Sequence, residues 1–447
     1  LVILKNFHLT VRIIISMFIL LFAGFILLIL IRVPVSIAIG AAVLMTFLTS
    51  DFSDALYIIP QQILEGVNKP SLAAVPFFIM AGNLMNVVGM TDRIFNFANS
   101  LVGHFKAGLA QVNVLSSMIF AGVSGAAVAD CAGLGAIEIK AMKERGYKAE
   151  FAAAVTVCSA VVGPIIPPSI GLVIFAFLAQ QSVERMFLAG MIPGIIIGLS
   201  LMFFNRILAI KNNFPTQPKA SPKEVITSAR DGILALVAPG IILGSILGGF
   251  VTATEAGVLA CVYSIMLGFI YRTMTFSNFW KALTDTMLMT SVIMIIIGFS
   301  IAMGWLLAIE QVPQMIGYSI FALTESKNVF LALLLVFIIL VGCVVEGVPA
   351  KLLLVPMLLP VIDSFGIDRV HFGIIIQLGL LIGIATPPMG IGLYIMVEVG
   401  KVPFERVSLA VLPFMIPLML VLILLTYIPE LTLWLPNYIL GPDTPIN

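Results

Sequence analysis

Residues 163–171 read GPIIPPSIG and interrupt a run that is otherwise apolar enough to form a membrane helix. Proline has no amide hydrogen to donate, so these prolines rule out a regular helix here. Inside a membrane, irregular backbone is tolerated only where it is buried in protein or lines a water-filled cavity. The stretch therefore predicts a membrane helix that is broken in its middle, where its backbone groups meet a ligand.

The composition places this break in an all-α polytopic membrane protein. The chain of 447 residues is 61% hydrophobic and 10% charged, with a mean hydropathy of +1.17. A soluble domain is about half apolar and about a quarter charged. The net charge of +1 gives no indication of nucleic acid binding. Because apolar runs recur along the chain, we expect about ten transmembrane helices, over 12–31, 33–50, 72–89, 150–182, 186–210, 228–250, 253–272, 283–308, 370–400 and 407–428.

Two further segments do not fit as single spans. Residues 107–145 and 327–365 are each too long for one crossing, and each carries Gly or Pro near its middle. Both are explained by re-entrant helical hairpins, with tips near 124–130 and 344–350. Each hairpin is followed by a proline-broken helix, and the second break reads GIATPPMGIG (383–392).

The two halves of the chain are related by a shift of 220 residues. The shift brings Gly163 onto Gly383, Pro167-Pro168 onto Pro387-Pro388, and Pro193 onto Pro413. Such a pair of interrupted segments indicates the binding site of a transporter. The alternative is coincidence between two apolar stretches rich in Gly and Pro.

The charges indicate the orientation of the two halves. If the basic connection 211–230 is cytoplasmic, most Lys and Arg side chains fall on that side and the opposite side is acidic, as the positive-inside rule requires. The broken helices then run in opposite directions, so the repeat is inverted. The first hairpin enters from the cytoplasm and the second from the periplasm.

This repeat predicts a mobile body and a scaffold. Segments 90–106 and 310–327, just before the hairpins, are interpreted as arms that hold the body, or as plain connecting helices. The predicted units are scaffold helices in 1–89, the first arm, hairpin and broken helix in 90–182, scaffold helices in 183–309, the second arm, hairpin and broken helix in 310–400, and a scaffold helix with a periplasmic tail in 401–447.

The breaks suggest what kind of ligand binds. The end of a half-helix presents carbonyls, which attract a cation, and the start of the next presents amides, which attract an anion. Thr386 adds a hydroxyl at the second break and Ser169 adds one at the first, while Gly383 and Gly390 allow close backbone approach. A simple proline kink in each helix is the alternative.

The hairpin tips add candidate side chains. Ser124 can offer Na⁺ a hydroxyl and a carbonyl, and Asp130 either lines a binding site or caps the second limb of its hairpin. In the second tip, Glu346 and Lys351 either pair with each other, or Glu346 holds a cation or proton while Lys351 meets an anionic substrate. Glu255 in TATEAG is predicted to be a helix cap.

One motif suggests an intramembrane serine protease. GVSG (122–125) matches the G-x-S-G motif of rhomboid-type enzymes, but His371 is expected at the opposite side of the membrane from this tip. The chain contains neither an H-E-x-x-H motif nor a P-loop. Transport must therefore be driven by an ion gradient or by the gradient of the substrate itself.

The chain resembles the large membrane subunit of tripartite ATP-independent periplasmic (TRAP) transporters over roughly residues 30 to 430. The motifs that carry the resemblance are AGNLM, GVSGAAVAD, KERGY, GPIIPPSIG, VTATEAG, VEGVPAK and ATPPMGIGLY. The resemblance implies a Na⁺-coupled importer of organic anions, such as C4-dicarboxylates, sialic acid or other sugar acids, that works by an elevator motion in the bacterial inner membrane. It also implies a periplasmic substrate-binding protein and a small four-helix membrane subunit as partners, and no organic cofactor.

The family motifs also indicate which residues form the sites. The predicted sodium site comprises Ser124, Gly125, Glu346, Gly347, Thr386, Pro387 and Met389. The predicted substrate site comprises Asp130, Pro167, Pro168, Ser169, Lys351, Pro388 and Gly390. Many family members have a second serine where this chain has Ala126 or Ala127, so a ligand role for that hydroxyl is absent here. The alternatives are a stand-alone Na⁺- or H⁺-coupled anion symporter and, more remotely, the protease.

Overall fold

The computed structural model describes residues 21, 23–29, 31, 33–49, 56–125, 127–212, 214, 217–387 and 389–442. Within these ranges the chain is helical and contains no strand. Residues 12–20 of the predicted first span lie outside them, and residues 23–29 are helical.

Between residues 35 and 179, the described part of the chain forms the helices α1 to α9, of which α9 follows the first break. Their bounds are α1 Val35–Thr49, α2 Ile58–Val67, α3 Ala74–Val87, α4 Met90–Val102, α5 Gly108–Ser124, α6 Ala127–Ala132, α7 Leu134–Glu144, α8 Ala149–Ser159 and α9 Ile170–Ala179. A short 3-10 helix, Pro70–Ala73, leads into α3.

The rest of the described chain continues in the same way. The bounds are α10 Val183–Asn212, α11 Pro222–Leu247, α12 Ala253–Ile270, α13 Phe276–Ile309, α14 Val312–Leu323, α15 Lys327–Val344, α16 Gly347–Ser364, α17 Arg369–Ile384, α18 Ile391–Gly400, α19 Phe404–Tyr427 and α20 Glu430–Leu440. In the described ranges, eight helical segments are long and apolar enough to span a bilayer: Pro70–Val87, Val183–Ile210, Pro222–Leu247, Ala253–Ile270, Phe276–Ile309, Lys327–Val344, Gly347–Ser364 and Phe404–Tyr427. The prediction of a polytopic helical membrane protein is therefore confirmed.

Several helix starts follow from side-chain caps. Thr252 accepts a hydrogen bond from Glu255 N at 3.3 Å, and the Glu255 carboxylate accepts one from Thr252 N at 2.7 Å. This reciprocal pair satisfies backbone amides at the start of α12 and confirms Glu255 as a helix cap. Asp368 caps α17 in a similar way, by accepting from Val370 N and His371 N.

Both predicted hairpins appear as pairs of helices with the same spacing. A shift of 220 residues moves α5 onto 328–344, which agrees with α15, Lys327–Val344, within one residue. The same shift moves the span of α6 and α7 onto 347–364, which are the bounds of α16. The left-handed glycines Gly146 and Gly366, which follow the second limbs, are related by the same shift. The inverted orientation of the two halves remains a prediction.

The two halves pack across each other. The half-helix α9, after the first break, contacts α16 of the second hairpin and α17. In the corresponding way, α18, after the second break, contacts α6 and α7 of the first hairpin and α8. Each hairpin is therefore held by the broken helix of the other half as well as by its own.

The remaining helices fall into two groups by their contacts. In one group, α13 contacts α1, α2 and α3, and α12 contacts α3 and α11. The sequence predicts these helices as scaffold, and that role remains a prediction. By contrast, α10 contacts α5, α9 and α17, and α19 contacts α8, α17 and α18. This packing groups α10 and α19 with the hairpins, whereas the sequence placed both in the scaffold; hydropathy shows that a helix spans a membrane but does not show which helices it touches.

Both predicted arms contact both groups, and the groups also touch directly, through α13 with α16 and through α3 with α5 and α9. Helix α4 contacts α11 and the hairpin limb α5, and α14 contacts α13 and the hairpin limb α16. Equivalent helices of the two halves therefore bridge a scaffold helix and a hairpin.

The second hairpin meets its broken helix backbone to backbone, which generates a first prediction. A Cβ at Gly383 would overlap Gly342 and lie 2.7 Å from Cys343 N, so Gly383→Ala forces α15 and α17 apart. Overpacking of this kind costs about 1–3 kcal/mol. We expect a lower apparent melting temperature, followed with a thiol-reactive dye at the four cysteines, all of which are buried and free.

The matched control is Gly240→Ala in α11, where a Cβ would meet no atom within 4 Å. This exposed helical position should tolerate alanine or gain stability, because glycine is the poorer helix former. Equal melting temperatures for Gly383→Ala and the control would contradict the close contact.

Candidate functional site

The first break comprises residues 160–169, between α8 and α9. Polar groups of its backbone form hydrogen bonds with side chains of the protein itself. Ser169 caps α9 by accepting from Leu172 N at 3.3 Å, and its hydroxyl donates to Pro164 O at 2.6 Å. The same carbonyl accepts a second hydrogen bond from Gln377 Nε2 of α17 at 3.0 Å. Pro167, Pro168 and Ser169 are buried, and the Pro167-Pro168 peptide is cis.

The first hairpin tip lies against this break. Helix α5 ends at Ser124, whose side chain lies outside the described part of the chain, and Gly125 follows in a left-handed conformation with φ 60°. A Cβ on Gly125 would lie 3.1 Å from Pro168 O and 3.2 Å from Ile170 N. The tip and the turn at 167–169 therefore touch through their backbones, which glycine makes possible. Ala126 falls outside the described residues.

Asp130 lies on the short helix α6 and is 2% exposed. The cap position of the next helix, α7, is occupied by Gly133, so Asp130 is not that cap. Its Oδ2 lies directly against Gly163, where a Cβ would overlap it. A carboxylate of the first hairpin thus sits at the first residue of the stretch 163–171.

The second hairpin tip separates the two charges that the sequence left as a possible pair. Glu346 caps α16 by accepting from Val348 N at 3.0 Å. Lys351 instead donates to Gly171 O at 3.0 Å and to Gln377 Oε1. Among the described residues, the Glu346 carboxylate and the Lys351 ammonium lie beyond ion-pair distance of each other. A Cβ on Gly347 would meet no atom of the described residues within 4 Å.

The second break, residues 385–390, turns more tightly. Thr386 N donates to Gly383 O at 2.9 Å, and Gly390 N donates to Thr386 O at 3.1 Å. The Thr386 hydroxyl donates to Ile382 O at 2.7 Å, so its oxygen keeps lone pairs for another donor or a cation. Pro387 is half-buried and Met389 is 41% exposed, while Pro388 lies outside the described residues.

Three buried polar side chains were not among the site residues predicted from the sequence. Gln377 lies in the apolar helix α17 and joins both halves through its amide. Asn113 of α5 donates to Thr156 of α8 at 2.7 Å and accepts from Ser159 at 2.6 Å. Glu138 of α7 is 1% exposed, and its Oε1 has no hydrogen-bond partner among the described residues. For Gln377, the available signal was a polar residue in an apolar stretch of a membrane helix, because such residues are costly and usually functional.

The histidine considered for a protease, His371, lies against the C-terminal helices. His371 Nδ1 lies 2.8 Å from Thr432 Oγ1, and its Nε2 lies 3.3 Å from Thr426 O. Both ring nitrogens therefore face the C-terminal helices α19 and α20, and not the first hairpin tip.

Comparisons with known proteins show which family the sequence matches. The model of the family "Tripartite ATP-independent periplasmic transporter, DctM component" matches residues 22–431. The sialic acid TRAP transporter large permease protein of Vibrio cholerae is 40% identical over 400 residues, which are 89% of this chain and 94% of that protein. The C4-dicarboxylate TRAP transporter large permease protein of Pseudomonas aeruginosa is 36% identical, over 86% of this chain and 91% of that protein.

A solved structure shares the fold. The YdaH transporter of Alcanivorax borkumensis has a TM-score of 0.62 and 16% sequence identity, and the alignment covers 89% of this chain and 91% of that one. At this identity the likeness concerns the fold alone.

The contact between tip and break predicts the effect of Gly125→Ala. Alanine in the left-handed region costs about 1–2 kcal/mol, and here its Cβ also crowds Pro168 O and Ile170 N. Gly146→Ala carries the same conformational cost, with φ 83°, but would meet no atom within 4 Å. We expect both variants to melt below the wild type, with Gly125→Ala lower than Gly146→Ala; the reverse order would contradict the contact.

Proposed function

Because the chain belongs to the DctM, or large permease, family of TRAP transporters, we propose that it is the large membrane subunit of a Na⁺-coupled importer of an organic anion in the bacterial inner membrane. It is a transporter subunit and not an enzyme. The substrate classes named for its relatives, sialic acid and C4-dicarboxylate, are the first candidates. A small four-helix membrane subunit and a periplasmic substrate-binding protein are its proposed partners.

The observation that carries this proposal is the meeting of hairpin tip and helix break in the interior. Gly125 lies against Pro168 O and Ile170 N, and the equivalent helices of the second half bring Gly342 against Gly383. Interrupted helices in the middle of a membrane expose carbonyls for cations and helix starts for anions. Two such places in one body, related by the repeat, fit a carrier that binds an ion together with an anion.

The residues at the second break and the tips fit sodium, which takes oxygen ligands. Ser124 and Gly125 at the first tip, Glu346 and Gly347 at the second, and Thr386, Pro387 and Met389 at the second break are the groups proposed to hold it. Thr386 is suited to this because its hydrogen is already donated to Ile382 O, which leaves oxygen lone pairs. When bound, the ion supplies positive charge that offsets the substrate anion in a medium of low dielectric.

The substrate anion is proposed to bind beside these groups. Asp130, Pro167, Pro168, Ser169 and Lys351 surround the first break, and Pro388 and Gly390 belong to the second. The start of α9 lies here and favours negative charge. The positive charge of Lys351 adds to the same field.

We propose that transport occurs by an elevator motion, which the packing of the helices supports. Helices α5–α10 and α15–α19 contact one another and form the proposed moving body, while α1–α3 and α11–α13 form the proposed scaffold. The arms α4 and α14 touch both groups, so each is placed to guide the sliding.

The test is uptake into proteoliposomes that contain the large and small subunits, with the purified binding protein outside. We expect uptake of radiolabelled sialic acid or of a C4-dicarboxylate that requires an inward Na⁺ gradient. Uptake that is indifferent to this gradient would defeat the coupling. Full uptake without the binding protein would favour a stand-alone symporter.

Thr386→Val tests the sodium site in the same assay. Valine keeps the shape of threonine but removes the hydroxyl oxygen, so we expect a weaker apparent Na⁺ affinity, by about tenfold for one lost charge-assisted contact. The matched control is Thr46→Val, which removes the same kind of hydroxyl bond, to Ala42 O at 2.8 Å, in the scaffold helix α1. Equal Na⁺ affinities for both variants and the wild type would exclude Thr386 as a ligand.

A further inference from the structure

Glu138 is a carboxyl side chain in the interior of the first hairpin that the proposed function leaves unused. It lies on α7, the second limb of the hairpin, and is 1% exposed. Among the described residues its Oε1 has no hydrogen-bond partner, and no basic side chain forms an ion pair with it. An ionised carboxylate is so costly in such surroundings that the group takes up a proton instead. Buried in this way, Glu138 is expected to carry a proton.

The buried ionisable groups around α7 offer no positive charge to Glu138. Helix α7 packs against α4, α5, α6, α8 and α18. The ionisable side chains that these helices bury are Asp130 and Cys131 on α6 and Cys158 on α8. Asp130 and Glu138 interact electrostatically, and of two neighbouring carboxyls at least one is disfavoured in its ionised form. A carboxyl and two thiols therefore favour the protonated Glu138.

The other charged or titratable groups of these helices lie nearer the surface. Helix α5 carries none. Arg93 of α4 lies over the ring of Tyr271, with its guanidinium carbon 3.7 Å from the ring centroid. The remaining groups are exposed or half-buried: Asp92 on α4, Glu150 on α8, Tyr394 and Glu398 on α18, and Lys140, Lys143 and Glu144 on α7 itself.

The internal repeat shows that a hairpin of this shape does not need the carboxyl. A shift of 220 residues moves Glu138 onto Leu358 of α16, which is 6% exposed. The second hairpin thus fills the equivalent buried position with an apolar side chain. A carboxyl is costly at a place where the other half of the chain has leucine, so we expect it to have a function.

The limb that carries Glu138 is packed against two neighbouring helices. One turn before Glu138, a Cβ on Gly135 would lie 2.7 Å from Thr156 Cγ2 of α8 and 3.6 Å from Met396 Cε of α18. Near the end of the limb, Lys143 Nζ donates to the carbonyl of the last residue of α18 at 3.4 Å. Glu138 is therefore shielded from water while α7 stays packed on α8 and α18.

Water lies close to Glu138 once the limb moves. Helix α7 ends at Glu144, about 9 Å further along the axis at about 1.5 Å per residue. That end carries the exposed side chains of Lys143, Glu144 and Arg145, and it faces the cytoplasm in the orientation predicted from the charges. Separation of α7 from α8 and α18 would therefore give Glu138 a short route to water on this side.

We propose that Glu138 is a proton-binding site that makes the first hairpin sensitive to pH. While the carboxyl carries its proton, α7 stays packed on α8 and α18. When α7 moves away, the carboxyl gives the proton to water and becomes a carboxylate, which resists a return to the apolar interior. The second hairpin, with Leu358 at this position, has no such response. This inference goes beyond the proposed function and involves neither Na⁺ nor the substrate.

The test is hydrogen–deuterium exchange of the purified complex with the small subunit, between pH 6 and pH 8, without Na⁺ or substrate. An opening that releases one proton becomes about tenfold more favourable for each pH unit. After correction for the intrinsic pH dependence of amide exchange, we expect the amides of α7 to exchange about tenfold faster for each pH unit. The amides of α16 are the internal control and should show no such increase.

Three variants identify the group that releases the proton. Glu138→Gln keeps the shape of the side chain but has no proton to release in this range, so exchange in α7 should lose its pH dependence. Glu138→Leu copies the second hairpin, and it should also slow exchange in α7 below the wild type at pH 8. The matched control is Glu398→Gln, which removes an exposed carboxyl of α18 and should leave the wild-type dependence unchanged.

The wild type alone can overturn this inference, so the test does not depend on any variant that folds. Exchange in α7 that depends on pH no more than exchange in α16 would overturn it. A pH dependence that persists in Glu138→Gln, or that Glu398→Gln also abolishes, would overturn it as well. No ion or substrate is present in these measurements, so their result is independent of the uptake experiments that test the proposed function.

Discussion

The structure depends on one constraint: a backbone that leaves the helix within apolar surroundings must find partners inside the protein. At the first break those partners are side chains from three elements. Ser169 and Gln377 both donate to Pro164 O, and Lys351 donates to Gly171 O. Because Gln377 lies on α17 and Lys351 on the second hairpin, the break in the first half is completed by residues of the second half. The prolines that interrupt the helix therefore also determine how the two halves join.

This interdependence gives a reason for the crossed packing of the helices. A hairpin that touched only its own broken helix could move separately from the other half. Here α9 contacts the second hairpin and α18 contacts the first, while the glycines Gly342 and Gly383 bring backbones together with no side chain between them. Such close contacts lose their fit when shifted by even a small distance. The four interrupted segments are thus expected to move as one body.

The sequence predicted the parts of this body better than it predicted their partners. The 220-residue shift was readable because Gly and Pro mark the ends and breaks of helices. The two segments predicted from their length, 107–145 and 327–365, agree within one residue at each end with the helices that the structure shows there. The grouping of α10 and α19 with the hairpins, and the link from Gln377 to Pro164 O, join residues far apart in the chain. Hydropathy and spacing carry no information about such contacts. Side-chain pairing was equally hidden, since Glu346 and Lys351 are close in sequence but bond to different groups.

The halves share an architecture but differ in charge, and this difference bears on how a carrier couples ions. A symmetric pair of breaks would present two equivalent places for a cation. In this chain the first break already holds the ammonium of Lys351 and lies beside the carboxylate of Asp130, whereas the second offers the hydroxyl oxygen of Thr386. An ammonium group that is fixed to the protein cannot be released into the cytoplasm, so it cannot contribute to the driving force of a transporter. In the proposed function, a coupling ion binds where oxygen ligands remain available, and at the second break the Thr386 hydroxyl oxygen is such a ligand.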